Sequence, residues 1–453
     1  MFALQRPAPL EDLLDALDQR KFTSPTDVEP LAQQALRMAE QHADSAAQAK
    51  ALCYLSWSAM LTGQVVRGVE HAAQALLLAQ QNAHTREEAR ALGMLGAALI
   101  FAGLHDEAMV CYQRAEALAV THHYLDALGL TLNDLGLIAL RRGQNEQAVV
   151  LIERGLTLIP QEAGGGAAIG VLWMNLGVAY SQMTRLAEAE DALRRAQAIF
   201  VRTRAFTSLA WVRMELAENA ARKHDYDAAQ EHLAAAHDIA LPLGLPNLLL
   251  MIYRQQAELA NQQKNLREVL GRLALAYDLA QRHHLHSALP DILTVLSQAY
   301  AQAGDTPNSL ACDQEALKLS AQKHQDEIAA RLNILRALYQ LRDSLDFRFI
   351  SGSAASSSLD KLLEIERQRV EQQKQHELIE FRERVAHRVA HELRNPLAVI
   401  RSSGEMLQRY GLQMNEEKRQ GHYHQIVQET ERLHQLINDI LDLLAPPNSD
   451  TTL

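Results

Sequence analysis

A small residue returns along this chain at Ala75, Ala115, Gly155, Ala196, Ala236, Ala276 and Ala316, in steps of 40, 40, 41, 40, 40 and 40 residues. A second small series runs Ser56, Gly96, Gly136, Gly177, Ala217, Ala257 and Ser297, and the residue before each is leucine except at Gln256. Self-similarity at such a period means that one supersecondary unit is stacked on copies of itself. The unit is helical: aromatic residues are only 5% of the chain, and alanine and leucine dominate, a balance that favours packed helices over sheets. Each unit therefore reads as two helices joined by a tight turn, marked by Gly63, Gly103, Gly143 and Gly304. The small residues stand where the two helices of a hairpin approach closely, and the leucines fill the shared core. No single unit can bury its apolar face alone, so stacking is obligatory.

This spacing resembles the tetratricopeptide repeat. The Leu-Gly pairs, a turn glycine seven residues later, and alanines five and twelve residues beyond it match that family's pattern. Pro160 sits where the family often ends its second helix. The period is longer than the usual ~34 residues, so helices or linkers are extended. Seven repeats are expected over 46–320, with a degenerate helical cap at 1–45 (Ala35 lies one period before Ala75) and a closing helix over 321–345 that begins near Asp326. The resemblance implies a groove that takes a protein or peptide ligand; a bare spacer is the alternative. Two features tempt other readings. His122–His123 and His283–His286 look like metal clusters, but His123, His284 and His324 share one repeat position near the end of the second helix, where a partly protonated imidazole suits the helix dipole. Gly164–Gly166 lacks the lysine and hydroxyl of a phosphate-binding loop and reads as a lengthened linker.

The net charge of −11 argues against a nucleic-acid partner, which needs a basic face. Cys53, Cys111 and Cys312 form no C-x-x-C pair, so reduced cytosolic thiols are expected and not a disulfide frame or zinc site. The start of the chain has no basic region followed by a long apolar run, so no signal peptide is expected. The longest uncharged stretch, Ala163 to Thr184, contains glycines and Asn175 and fits a repeat better than a membrane span. A cytoplasmic protein with no membrane span is the expectation.

A different organisation follows Ile350–Ser358, "ISGSAASSS", which breaks the helical pattern and places a linker at 346–358. Leu359, Leu362, Leu363, Ile365 and Val370 give 359–380 the stripe of a two-stranded coiled coil with a polar centre at Glu371–Glu377. Farther on, Phe381, Val385, Val389, Leu393, Pro396 and Ile400 share one helix face, and His387 and His391 point away from it. His391 is then a solvated residue, half of a metal pair with His387, or a nucleophile. Zincins need H-E-x-x-H, and "HELRN" puts Asn395 in place of the second histidine. The following segment carries Ile426, Thr430, Leu433, Ile437, Ile440 and Leu444 in a heptad seam ended by Pro446 and Pro447. Gly411 is the expected stop of the first helix and Asn415 the cap of the second. Residues 381–445 thus form a helical hairpin with a wide apolar face, and two copies would close into a four-helix bundle. Residues 446–453 are a short tail.

"FRERVAHRVAHELRNPLAVIRSSGEML", followed by "IVQETERLHQLINDILDLL", resembles the dimerisation and phosphoacceptor domain of sensor histidine kinases. The resemblance implies that His391 is the phosphoacceptor, with Glu392 its acidic partner and Pro396 the bend below it. Glu392 and Asn395 match the family's E-x-x-N pattern, which is associated with removing phosphate from a partner's aspartyl phosphate. It also implies a homodimer and a response-regulator receiver domain as partner. The family's ATP-binding motifs are absent from Ala445–Leu453. ATP and Mg are therefore expected only with a domain outside this sequence, whether the chain is a fragment (the favoured reading, since it ends at a domain boundary), a truncated gene or a protein serviced in trans. Two functions stand: a two-component phosphorelay sensor, or a non-catalytic dimeric scaffold. The expected fold is all-α: a tetratricopeptide-like superhelical solenoid, a long coiled-coil helix and a dimerising hairpin.

Overall fold

The computed structural model describes residues 8–159, 166–341 and 393–444, with 368, 371, 372, 375, 376, 379 and 390 between them. Pro160, Gly164 and Gly165, the linker 346–358 and nearly all of the connecting segment 359–380 lie outside the described residues. The chain divides into two compact units, Met1–Ile292 with Gln325–Glu366, and Leu293–His324 with Arg367–Leu453. All regular structure among the described residues is helical.

The first unit opens with α1 (Ala8–Thr23) and α2 (Val28–Gln41). Hairpins follow in series: α3 (Ser45–Leu61) with α4 (Val65–Gln81), α5 (Thr85–Phe101) with α6 (His105–Thr121), and α7 (Leu125–Arg141) with α8 (Asn145–Leu158). Next come α9 (Gly166–Gln182) with α10 (Leu186–Thr203), α11 (Phe206–Arg222) with α12 (Tyr226–Ala240), and α13 (Pro246–Gln262) with α14 (Leu266–Arg282). Helices α15 (Leu289–Gln302) and α16 (Thr306–Leu341) complete the series. The odd-numbered helices from α3 to α13 also touch one another in succession, which makes them the inner layer of the first unit.

One turn is used almost throughout. Ala43, Gly63, Ala83, Gly103, His123, Gly143, Thr184, Arg204, His224, Lys264, His284 and Gly304 all have left-handed backbone, with φ between 52° and 78°. At each, the next residue's N–H bonds back to the carbonyl five residues earlier, as from Gln64 to Ala59 at 2.7 Å and from Asp225 to Ala220 at 3.0 Å. This is the Schellman closure of a helix C-terminus. The residue that closes one helix then caps the next, since its own carbonyl takes the first helical bond, as Asp44 does from Gln48. Three residues, or two between α10 and α11, thus suffice at these turns, and the turns recur about every 20 residues, half the period visible in the side chains. His123 and His284, expected near the end of the second helix, stand two residues past its last helical residue as left-handed turn residues. His324, at the same repeat position, takes no turn: α16 runs unbroken from Thr306 to Leu341, so no separate closing helix begins at 321 or near Asp326.

The small-residue series is explained by contact. A Cβ at Gly96 would stand 2.8 Å from the Tyr112 ring, at Gly136 2.7 Å from Ile152, and at Gly177 2.6 Å from Leu193. Ser56 instead donates its hydroxyl to the Gly68 carbonyl at 2.7 Å, and in the second unit Ser309 donates to the Ser297 carbonyl at 2.9 Å. Gln256, the break in the leucine series, is half-buried with its Oε1 unpaired.

Two contacts reach far across the first unit. Helix α1 packs on α3 and α11: Asp18 takes hydrogen bonds from Lys50 at 2.7 Å and from the Tyr54 hydroxyl, while Phe22 joins the cluster around Leu209. At the other end, Arg331 of α16 donates Nη2 to the Gly103 carbonyl at 2.7 Å and Nε to that of Ala102 at 3.3 Å. Ile334, one turn on, is 1% exposed within the core of the N-terminal hairpins.

The inner layer also holds a polar ladder. Asn175 of α9 donates to Asn133 of α7 at 2.8 Å, and Asn133 donates to the neighbouring Asp134 carboxylate at 3.2 Å. Loss of hydration pushes the Asp134 carboxyl up to about 7, against the smaller opposing effect of the Asn133 hydrogen bond.

Gly143→Ala should cost about 1 kcal/mol from backbone strain alone, since a Cβ there meets nothing within 4 Å. Gly103→Ala should cost more, because its Cβ would stand 2.9 Å from Arg331 Nη2. A double-mutant cycle by urea denaturation should show the excess vanishing in an Arg331→Ala background. A carboxyl raised by folding favours the folded state below its unfolded pKa and progressively loses that advantage as pH rises from about 4 through about 7. Asp134→Asn should therefore raise the melting temperature at pH 8 and lose that gain by pH 4.

Candidate functional site in the C-terminal hairpin

The hairpin of the second unit consists of α17 (residues 393–410) and α18 (Glu416–Leu444). Gly411 ends the first helix by close approach and not through a left-handed residue: its N–H meets the Leu407 carbonyl at 2.9 Å, and a Cβ there would lie 2.3 Å from that oxygen. Asn415 caps α18, its Oδ1 accepting from the Lys418 N–H at 3.0 Å. Arg419 reaches back from α18 to the carbonyls of Gly411 and Met414, both at 3.1 Å, and satisfies acceptors that the end of a helix leaves open. The two helices are joined by Ser403, which donates to Gln425 Oε1 at 3.0 Å and lies 3.4 Å from His422 Nδ1.

His391 and Glu392 lie outside the described residues. Of the remaining site residues, Pro396 is buried and Asn395 exposed, with Arg394 exposed beside it. Leu393 and Ile400 are half-buried on the Pro396 side, so the apolar face holds where it can be seen and Asn395 is directed to solvent. A substrate or partner domain can reach the Asn395 amide without disturbing the helix pair.

The hairpin hides little of its apolar surface. Pro396 and Ser403 are its only buried residues among those described. Leu397 is 53% exposed, Val427 56% and Ile437 45%, and Thr430 of the seam is exposed while Ile426 and Leu433 are half-buried. Among the described residues of the whole chain, no three His, Cys, Asp or Glu side chains gather as metal ligands, and no helix is long and apolar enough to cross a membrane.

Sequence reasoning passed over the inner layer of the repeats. Glu215 of α11 and Gln255 of α13 occupy the repeat position of Asp134 and Asn175. The Glu215 carboxyl is pushed up to about 7, first by burial and then by the Glu218 carboxylate one turn on. The signal available was the position two residues before the small-residue series, polar in four successive repeats at Asp134, Asn175, Glu215 and Gln255.

Residues 381–444 match the model of the His Kinase A (phospho-acceptor) domain, and residues 171–199 match a tetratricopeptide repeat. The comparison with curated proteins found no match. Among solved structures, the chain is similar to BtubC from P. vanneervenii, at 16% identity and a TM-score of 0.42 over 48% of this chain and 90% of that one. It is also similar to a Rap protein complexed with competence and sporulation factor, at 13% identity and a TM-score of 0.45 over 83% and 98%. The chain carries a phosphoacceptor domain of the histidine kinase class at 381–444, with tetratricopeptide repeats ahead of it.

Proposed function

We propose that this chain is the sensing and phosphoacceptor part of a cytoplasmic two-component phosphorelay. The observation that carries this reading is the match of 381–444 to the phosphoacceptor domain over the motif His391-Glu392-Leu393-Arg394-Asn395-Pro396. In this reading one ring nitrogen of neutral His391 attacks the γ-phosphorus of ATP held by a separate domain, the bond to the leaving ADP oxygen breaks, and the phosphoryl group becomes bonded to nitrogen. Glu392 accepts a hydrogen bond from the N–H of the other ring nitrogen and stabilises the positive charge that develops there. The phosphoryl group then passes to an aspartate of a response regulator. His391 and Asn395 are four residues apart, the spacing of one helical turn. In this reading the Asn395 amide, which is exposed, orients water for a separate task, hydrolysis of the regulator's aspartyl phosphate.

The repeats receive a peptide or protein signal, and the hairpin dimerises. Exposed apolar side chains on both hairpin helices support the second statement. Burying one such side chain is worth about 1.5–3 kcal/mol, and two hairpins meeting along Ile426, Leu433 and Ile437 bury several. The remaining reading is a dimeric scaffold that carries partners and no phosphate.

Incubation of the full chain with an ATP-binding domain of this kinase class and γ-labelled ATP separates the two. Label that survives alkali, is lost in acid and vanishes in His391→Gln is the expected result; no transfer from several such domains would favour the scaffold. Sedimentation at micromolar concentration should give twice the chain mass, and Ile437→Glu should shift the protein to monomer. A wild-type protein that stays monomeric would remove the bundle.

A further inference from the structure

The second half of α16, Gln325–Leu341, belongs to the first unit and is seated on the turn between α5 and α6. Arg331 is the polar half of the seat, giving Nη2 to the Gly103 carbonyl at 2.7 Å and Nε to that of Ala102 at 3.3 Å. Ile334, one turn on, is the apolar half, 1% exposed in the cluster that holds Leu99 and Leu104. The same place carries a repulsion. The His105 imidazole, at the start of α6, is held below its ordinary pKa by loss of hydration and then by the charges of Arg141, Arg331 and Arg142. Asp106 accepts from Arg142 at 3.0 Å, and among the described residues no carboxylate forms an ion pair with Arg141. Arg331 is thus drawn to two carbonyls in the company of like charges. The seat also closes residues 104–330 into a loop. In a stack where each unit touches its neighbours, small rotations from one unit to the next add up. A change in stacking too slight to disturb any one hairpin in that loop is therefore felt where the loop closes.

We propose that the seat of Arg331 and Ile334 on the α5–α6 turn is a clasp with a closed and an open state, and that its state controls phosphoryl uptake at His391. Closed, the helix that leads along the chain toward His391 is pinned in the first unit; open, it is released. A ligand of the repeats acts through this clasp by fitting the hairpin stacking of one state better than that of the other, since equal fit to both shifts nothing. The inference rests on the reading of His391 as phosphoacceptor, and it names the contact that regulates it.

Three variants of the full chain separate a clasp from a contact that merely stabilises. Arg331→Ala removes the polar half. Gly103→Ala crowds the same guanidinium from the other side, its Cβ 2.9 Å from Nη2. Gly143→Ala is the control: its φ of 72° matches the 73° of Gly103, but its Cβ meets nothing within 4 Å. Hydrogen exchange over 325–341 should quicken in the first two variants and not in the third. The second measurement is the initial rate of labelling by γ-labelled ATP, with an ATP-binding domain of the histidine kinase class supplied in trans. Arg331→Ala and Gly103→Ala should change that rate in the same direction, by about fivefold or more, the lower end of ordinary coupling between sites. Gly143→Ala should label as the wild type does, and circular dichroism checks that all three are folded. Unchanged exchange, faster exchange with unchanged labelling, or an equal effect of Gly143→Ala overturns the clasp and leaves the phosphoacceptor reading standing. A wild-type chain that takes no label overturns both.

Discussion

The left-handed residue that ends most of the repeat helices is the constraint on which the repeat array rests. A Schellman closure ties off the last carbonyls of one helix with the same two residues that start the next, so the chain reverses with no slack. Only then do the small residues of neighbouring helices fall opposite large ones, as Gly96 does against Tyr112. A longer or looser link would let the helices slide, and the match of glycine to bulky side chain would be lost. Glycine fills four of these twelve positions; alanine, histidine, threonine, arginine and lysine fill the others at some conformational cost. Packing of the flanking helices supports that cost.

This explains what could and could not be read from the residues alone. The 40-residue period and the helix pairs were legible because alanine and glycine at helix crossings admit few substitutes. The 20-residue period of the turns was not, because packing enforces the left-handed conformation on Ala83, His123 and Arg204 without asking for glycine. The same blindness hid the continuity of α16 through His324, where nothing in the local sequence distinguishes a turn from helix. It also hid the inner-layer polar ladder: Asp134 and Glu215 look like surface carboxylates until neighbouring helices close round them. In the hairpin, the apolar stripe placed Pro396 inward and Asn395 outward, as the structure has them, because a helix wheel needs no tertiary information. His391 and Glu392 were read from their motif alone and lie outside the described residues.

The two parts of the chain meet their hydrophobic requirement differently. Each repeat helix is covered by its neighbours, so Leu95, Leu132 and Leu193 are almost wholly buried within one chain. In the hairpin, by contrast, Leu397, Val427 and Ile437 stay open. If two hairpins associate as proposed, these open side chains are what the second copy would cover, and stability of the hairpin and assembly of the protein would then become one equilibrium.

Arg331 bonding to the Ala102 and Gly103 carbonyls, with Ile334 sunk among the early hairpins, has a consequence for how such a chain can evolve. Stacked repeats ordinarily grow or shrink by duplication, because each unit touches only the next. Here a segment more than two hundred residues downstream must arrive at one particular turn. Gaining or losing a single unit in between would carry the arginine past its carbonyls and leave an isoleucine without its socket. The copy number is thereby held as a fixed dimension of the molecule, and variation is channelled into the faces of the repeats and away from their count.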